Sequence, residues 1–65
     1  MLDFKYRVTW YWEGQERSSI DMNDSKDVTA LVKEEEREGF QIRVMDLEKG
    51  RVIYESEGLG NTVVN

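Results

Sequence analysis

Cysteine and histidine are both absent from this 65-residue chain. The first absence removes disulfides, thiolate metal sites and cysteine nucleophiles. The second removes the commonest metal ligand and the side chain that most readily moves a proton near neutral pH. No apolar run approaches the roughly 18 residues that a membrane-crossing helix needs. The opening Met1-Leu2-Asp3-Phe4-Lys5 lacks the regions of a secretory signal, so a cytoplasmic location is the expectation. Length is short as well. A chain of 7.7 kDa is one small domain, and at this size only about 60% of the unfolded surface is buried on folding. Stability is marginal on that count, and a partner or a second copy of the chain is a natural source of more.

Basic charge is scarce too. Nine Lys and Arg stand against fourteen Asp and Glu, for a net charge of −5. Residues 24–38 hold Lys26, Lys33 and Arg37 against Asp24, Asp27, Glu34, Glu35, Glu36 and Glu38, so this segment carries −3 of the total. A net acid is repelled by phosphate backbones and anionic lipid, which argues against direct binding of nucleic acid or a membrane. The partner it suits is a protein with a basic surface.

Hydropathy then gives the organisation. Phe4, Tyr6, Val8, Trp10 and Trp12 alternate with Lys5, Arg7, Thr9 and Tyr11, the period-two pattern of a half-buried strand. Glu13-Gly14-Gln15 is a turn, and Gln15 to Met22 the return strand. A two-residue loop would pair Trp10 with Arg17 and turn Ile20 away from the apolar face. A three-residue loop, or a bulge of the same effect, pairs Trp10 with Ser18 and Val8 with Ile20 and keeps the apolar faces together. Asp24 then caps a helix, accepting from the backbone of Asp27, and the helix runs to about Glu38 with Val28, Leu31 and Val32 as its apolar stripe. Gly39 ends it. Phe40 to Leu47 and Arg51 to Glu55 form a second hairpin around Glu48-Lys49-Gly50, with Val44 opposite Tyr54, Met45 opposite Ile53 and Arg43 opposite Glu55.

The fold class is therefore α+β, in the order β-β-α-β-β: a four-stranded antiparallel sheet with one helix packed on one face. Residues 1–55 make the domain, and 56–65 a C-terminal tail that is loose or adds Thr62-Val63-Val64 as a short edge strand. The expected core is Phe4, Tyr6, Val8, Trp10, Ile20, Val28, Leu31, Val32, Phe40, Ile42, Val44, Val52 and Tyr54. The pattern leaves the spatial order of the strands open.

Few residues carry chemistry. Asp21, Asn23, Ser25 and Asp27 open with the rhythm of a calcium loop, but its sixth and twelfth positions hold Lys26 and Val32 instead of the Gly and Glu such a loop requires. Helix capping accounts for the same residues. The glycines stand singly at turns, and Gly58-Leu59-Gly60 precedes no helix, so there is no phosphate-binding loop. Carboxylates, Lys, Tyr and scattered hydroxyls are all that is left for catalysis, on a fold without a deep cleft. No catalytic, cofactor-binding or metal-binding residue is assigned, and the chain is read as a non-enzyme without a cofactor.

Candidate partner-binding residues come from three places. Glu34, Glu35, Glu36 and Glu38 crowd the helix C-terminus, where the macrodipole favours cations. This acidic ridge is either a solvated face or a recognition element that contributes nothing to stability. Met45, Leu47 and Ile53 fall on the sheet face away from Val44 and Tyr54, which would leave an apolar patch for a partner or a second copy unless a twisted or bulged strand turns it inward. Tyr11, exposed at a hairpin end, and Trp12, beside the helix, belong either to core packing or to a contact surface.

The Phe4–Trp12 strand, the Trp12-Glu13-Gly14 turn, the capped helix and Lys49-Gly50-Arg51-Val52-Ile53-Tyr54 together resemble the short acidic proteins of bacterial phages and prophages. That resemblance of build implies a stoichiometric binder of a host enzyme, regulator or immunity factor, and it carries over no site residue. The functional expectation is a non-catalytic protein-interaction module that inhibits or binds a host protein. Two alternatives stand beside it: an acidic mimic of nucleic acid that blocks a DNA- or RNA-binding protein, and a homodimer that sequesters a small molecule.

Overall fold

The structure, a computed structural model, describes residues 4–57 and 59. Its elements are β1 (Tyr6–Trp12), β2 (Gln15–Met22), α1 (Ser25–Arg37), β3 (Gln41–Asp46) and β4 (Arg51–Glu55). They form one antiparallel sheet in the order β2-β1-β3-β4 with α1 on one face. The architecture is the α+β, β-β-α-β-β arrangement that the hydropathy pattern predicts. The strands richest in inward aliphatic residues take the middle. Val8 of β1 faces Val44 of β3, and Trp10 faces Ile42. Val8, Val44 and Ile42 are the largest fully buried side chains, and Val28 and Val32 of α1 close over them.

Local chemistry fixes the connections. Glu13 and Gly14 both have positive φ, 54° and 80°, as a tight hairpin turn matched to strand twist requires. An irregularity between Trp10 and Tyr11 leaves Arg17 as an extra residue on β2 and restores the pairs Trp10–Ser18 and Val8–Ile20. The bulge is thus the device that keeps Ile20 on the apolar side. At the start of α1, Asp24 is extended and accepts from the backbone N–H of Lys26 at 2.8 Å, rather than from that of Asp27. At its end, Phe40 N–H donates to Glu35 O and Gly39 N–H to Glu36 O, the paired bonds of a Schellman stop. Gly39 sits there at φ 103°, and a Cβ at this position would lie 3.1 Å from Cζ3 of Trp12.

The second hairpin departs from the expected register. Arg43–Glu55 and Val44–Tyr54 pair as expected, but Met45 faces Val52 and Asp46 faces Arg51. The link is the four residues 47–50, held by Gly50 N–H to Asp46 O and Lys49 N–H to the Asp46 carboxylate. Ile53 is the extra residue, so it leaves the face of Met45 and exchanges sides with Val52.

The helix covers less of the sheet than the pattern suggests. It packs over β1 and β3 and reaches β2, while β4 lies beyond it. A helix with its side chains is about 10–12 Å wide and four strands spread over about 14 Å between the outer axes, so one edge must stay open. Tyr54, on β4, is exposed for this reason, and Val52 because the bulge turns it to the other face; Phe4 and Ile20, also expected in the core, are exposed as well. The folded unit also runs past residue 55. Ser56 and Leu59, which fall in the expected tail, are buried. The suggested strand Thr62-Val63-Val64 lies outside the described residues.

Candidate functional site

The uncovered strip of β4 and the facing side of α1 bound a groove of about 380 Å³. Its floor is core: Val28 and Val32 from α1, Val44 from β3 and Tyr6 from β1. Its far wall is Ile53 and Tyr54, which are 48% and 41% exposed. Ile53 reaches this wall only because of the bulge. Lys33 and Glu36 stand on the rim, together with the hydroxyl-bearing Ser25 and Thr29. An apolar concavity with a few polar groups at its margin is the usual form of a binding site.

Glu36 closes one end of the groove. Its Oε2 accepts from the hydroxyls of Tyr54 and Ser56, each at 2.5 Å. Ser56 Oγ in turn accepts from Ile42 N–H at 2.7 Å, while Ser56 N–H donates to Ile42 O at 2.8 Å. The chain Ile42–Ser56–Glu36–Tyr54 ties the last turn of α1 to the end of β4. The hydrogen bond to Glu36 and, after it, partial burial hold the Tyr54 phenol above its ordinary pKa. Tyr54 is therefore a donor at neutral pH and is not poised to abstract a proton.

The acidic residues of α1 do not act as one ridge. Glu34 and Glu38 are exposed, and Glu34 lies 3.9 Å from Arg37. Glu35 is half-buried and Glu36 is engaged as above. The expectation that this run contributes nothing to stability fails for Glu36, because its carboxylate accepts two hydrogen bonds in the fold.

The opposite sheet face keeps only part of the expected apolar patch, with the exposed Val52 in the place of Ile53 beside Met45. Met45, Leu47 and Ile53 were expected there together, yet Ile53 lines the groove on the helix side. Met45 sits between Arg7 and Val52, and Leu47 lies in the turn with its N–H bonded to Lys5 O at 2.8 Å. Both are half-buried. Two ion pairs share that face with Thr9 and Ser19. Arg7 forks onto Asp21 through 2.8 and 3.1 Å contacts, which lowers the Asp21 carboxyl below its ordinary pKa and raises that of Arg7. Arg43 Nε contacts Glu55 at 2.8 Å. The same guanidinium lies 5.2 Å from the Tyr11 ring centre and donates to the Tyr11 hydroxyl at 3.1 Å. Tyr11, expected to be exposed, is half-buried by this contact. Trp12 is 41% exposed and meets Phe40 at 5.3 Å in a tilted pair, so its ring covers the helix stop.

Three of the four residues suggestive of calcium are otherwise employed: Asp21 by Arg7, Asn23 by Lys5 N–H, and the Ser25 carbonyl by the Thr29 hydroxyl. Among the described residues, no group of three or more Asp and Glu is placed to hold a metal ion, and no helix is long and apolar enough to cross a membrane. Sequence reasoning missed Lys33, and it placed Tyr54 only as core. It counted Glu36 in the ridge. The signal for Glu36 was available, because it stands four residues after Val32 and eight after Val28, on the stripe that faces the sheet. Comparison with protein-family models, curated proteins and solved structures gives no match.

Proposed function

We propose that this protein is a non-catalytic interaction module that acts by occupying a surface of another protein, with the groove between α1 and β4 as its contact site. The observation that carries this reading is the exposure of Ile53 and Tyr54, 48% and 41%, on a groove floored by core aliphatic residues. An apolar strip that one helix leaves uncovered gains free energy when a second apolar surface closes it, at about 25 cal/mol for each Å² removed from water. Trp12 at the hairpin tip and Glu34 and Glu38 at the helix end are solvent-facing and extend the available contact surface. A cytoplasmic inhibitor of a host protein, as the phage-type build implies, is a role of this kind. The nucleic-acid mimic gains no support, since Glu36 is turned to Tyr54 and Ser56 and Glu35 is half-buried.

The test is retention of a partner by immobilised protein in wild-type, Ile53→Asp and Met45→Lys forms. The reading requires a partner that Ile53→Asp loses and Met45→Lys keeps. The opposite pattern would move the contact to the outer sheet face.

A further inference from the structure

The groove has lysines along its α1 side. A shallow depression on the solvent side of α1 is lined by Ser25, Lys26, Thr29, Ala30 and Lys33, and it shares Ser25, Thr29 and Lys33 with the groove. The ion pairs of the described residues engage Arg7, Arg37 and Arg43. Among the described residues Lys26 and Lys33 pair with no carboxylate, which is true also of Lys5, Arg17, Lys49 and Arg51, but these two stand on the α1 wall beside an apolar floor. At physiological salt, exposed charges more than about 8 Å apart are largely screened. The border therefore acts on an occupant through its own charges, Lys26, Lys33 and the hydrogen-bonded Glu36, more than the net charge of −5 does.

The shape of the site selects a class of occupant. A strand would add to a sheet edge, but both edges carry a bulge, at Arg17 on β2 and at Ile53 on β4, and bulged edges pair poorly. The vacancy is instead on the face of the sheet, beside α1 and over β4, where a second helix of about 10 Å diameter fits. A second copy of this chain does not offer one. The apolar side of its only described helix is already buried on its own sheet.

We propose that the groove binds an acidic amphipathic helix of a partner protein, its apolar stripe on Ile53, Tyr54, Val28 and Val32 and its flanking carboxylates on Lys33 and Lys26. This rests on the interaction reading above and names the chemistry of the partner. Lys26 and Lys33 are seven residues apart, about 10 Å along the helix axis. The matching acids on the partner are therefore also seven residues apart, on the row beside an i, i+3, i+7 apolar stripe.

The experiment uses two synthetic helical peptides with one Leu stripe, flanked at that spacing by Glu in one and by Lys in the other. Binding is followed by fluorescence anisotropy and by amide shifts in heteronuclear NMR. The Glu-flanked peptide should bind about tenfold more tightly than the Lys-flanked one at near-physiological salt. Lys26→Glu with Lys33→Glu should reverse that order, and Ile53→Asp should weaken both peptides about tenfold, with unchanged circular dichroism in each variant. Equal affinity for both peptides, lost in Ile53→Asp, would overturn the acidic requirement and leave groove docking standing. No shift at groove amides with either peptide would overturn both. A stable dimer in sedimentation velocity that Ile53→Asp dissociates would identify a second copy as the occupant, against this proposal.

Discussion

The Tyr54 hydroxyl on β4 donates to the Glu36 carboxylate on α1 across 2.5 Å and 18 residues of sequence. Ser56 donates to the same oxygen. Through this one carboxylate the helix holds the strand that it does not cover, and the groove between them keeps its width. An acid near a helix C-terminus opposes the macrodipole, and here two hydroxyl donors and the strand contact offset that cost.

Glu36→Gln should therefore destabilise the fold by about 1–2 kcal/mol, the scale of hydrogen bonds to a charged acceptor. For a domain of this length, that is a fall in Tm of roughly 4–8 °C per kcal/mol. Glu34→Gln and Glu38→Gln, at exposed positions, should each change Tm by less than about a third as much. Calorimetry on the three variants decides whether one member of the acidic run is structural.

The raised pKa of Tyr54 gives the clasp an alkaline signature. A phenol held neutral in the folded state contributes stability that is fully present below its unfolded value, near pH 10. That stability is lost as pH rises through the higher folded value. The Tm advantage of wild type over Tyr54→Phe should be constant up to about pH 9 and shrink above about pH 10. Lysines titrate in both proteins and cancel in the difference. A gap that stays constant to the highest accessible pH would contradict the contact.

Asp21 behaves in the opposite sense. Its hydrogen bond to Arg7 lowers its folded pKa, so the pair adds stability above the ordinary carboxylate value, near 3.9, and loses it as pH falls through the lower folded value. An NMR titration of the side-chain carboxyl should give a midpoint below about 3.9, moving upward in Arg7→Ala. The pair is at the surface, so the shift should diminish in high salt.

Gly39 serves two geometric demands, a φ of 103° and the approach of Trp12. Gly39→Ala should cost about 1–3 kcal/mol, and circular dichroism melts would show it. Trp12→Ala removes the close approach and leaves the backbone strain. A double variant should therefore lose less than the sum of the two single changes.

Much of the fold was legible because its signals are strong and local. The alternation from Phe4 to Trp12 sets the faces of β1. The position of Ile20 then demands one extra residue in the first hairpin, which the structure supplies at Arg17. The second hairpin offered no such constraint. Val52 and Ile53 are both β-branched and apolar, so exchanging their faces leaves the hydropathy pattern of β4 almost unchanged, and the bulge left no trace in it. That one residue put Ile53 in the groove and left Val52 beside Met45 on the outer sheet face. The width of the helix relative to the sheet, which decides what stays open, depends on the order β2-β1-β3-β4 and not on any single segment.

The central claim, that the groove is where this protein meets its partner, is tested most directly by site-specific photo-cross-linking. A photoreactive phenylalanine analogue is placed at position 53 or at position 45, and each protein is irradiated in an extract of the cells that make it. The account predicts a discrete adduct from position 53, abolished by competition with unlabelled wild type, and none from position 45. An adduct from position 45 alone, or none from position 53 while wild type retains a partner, would contradict it.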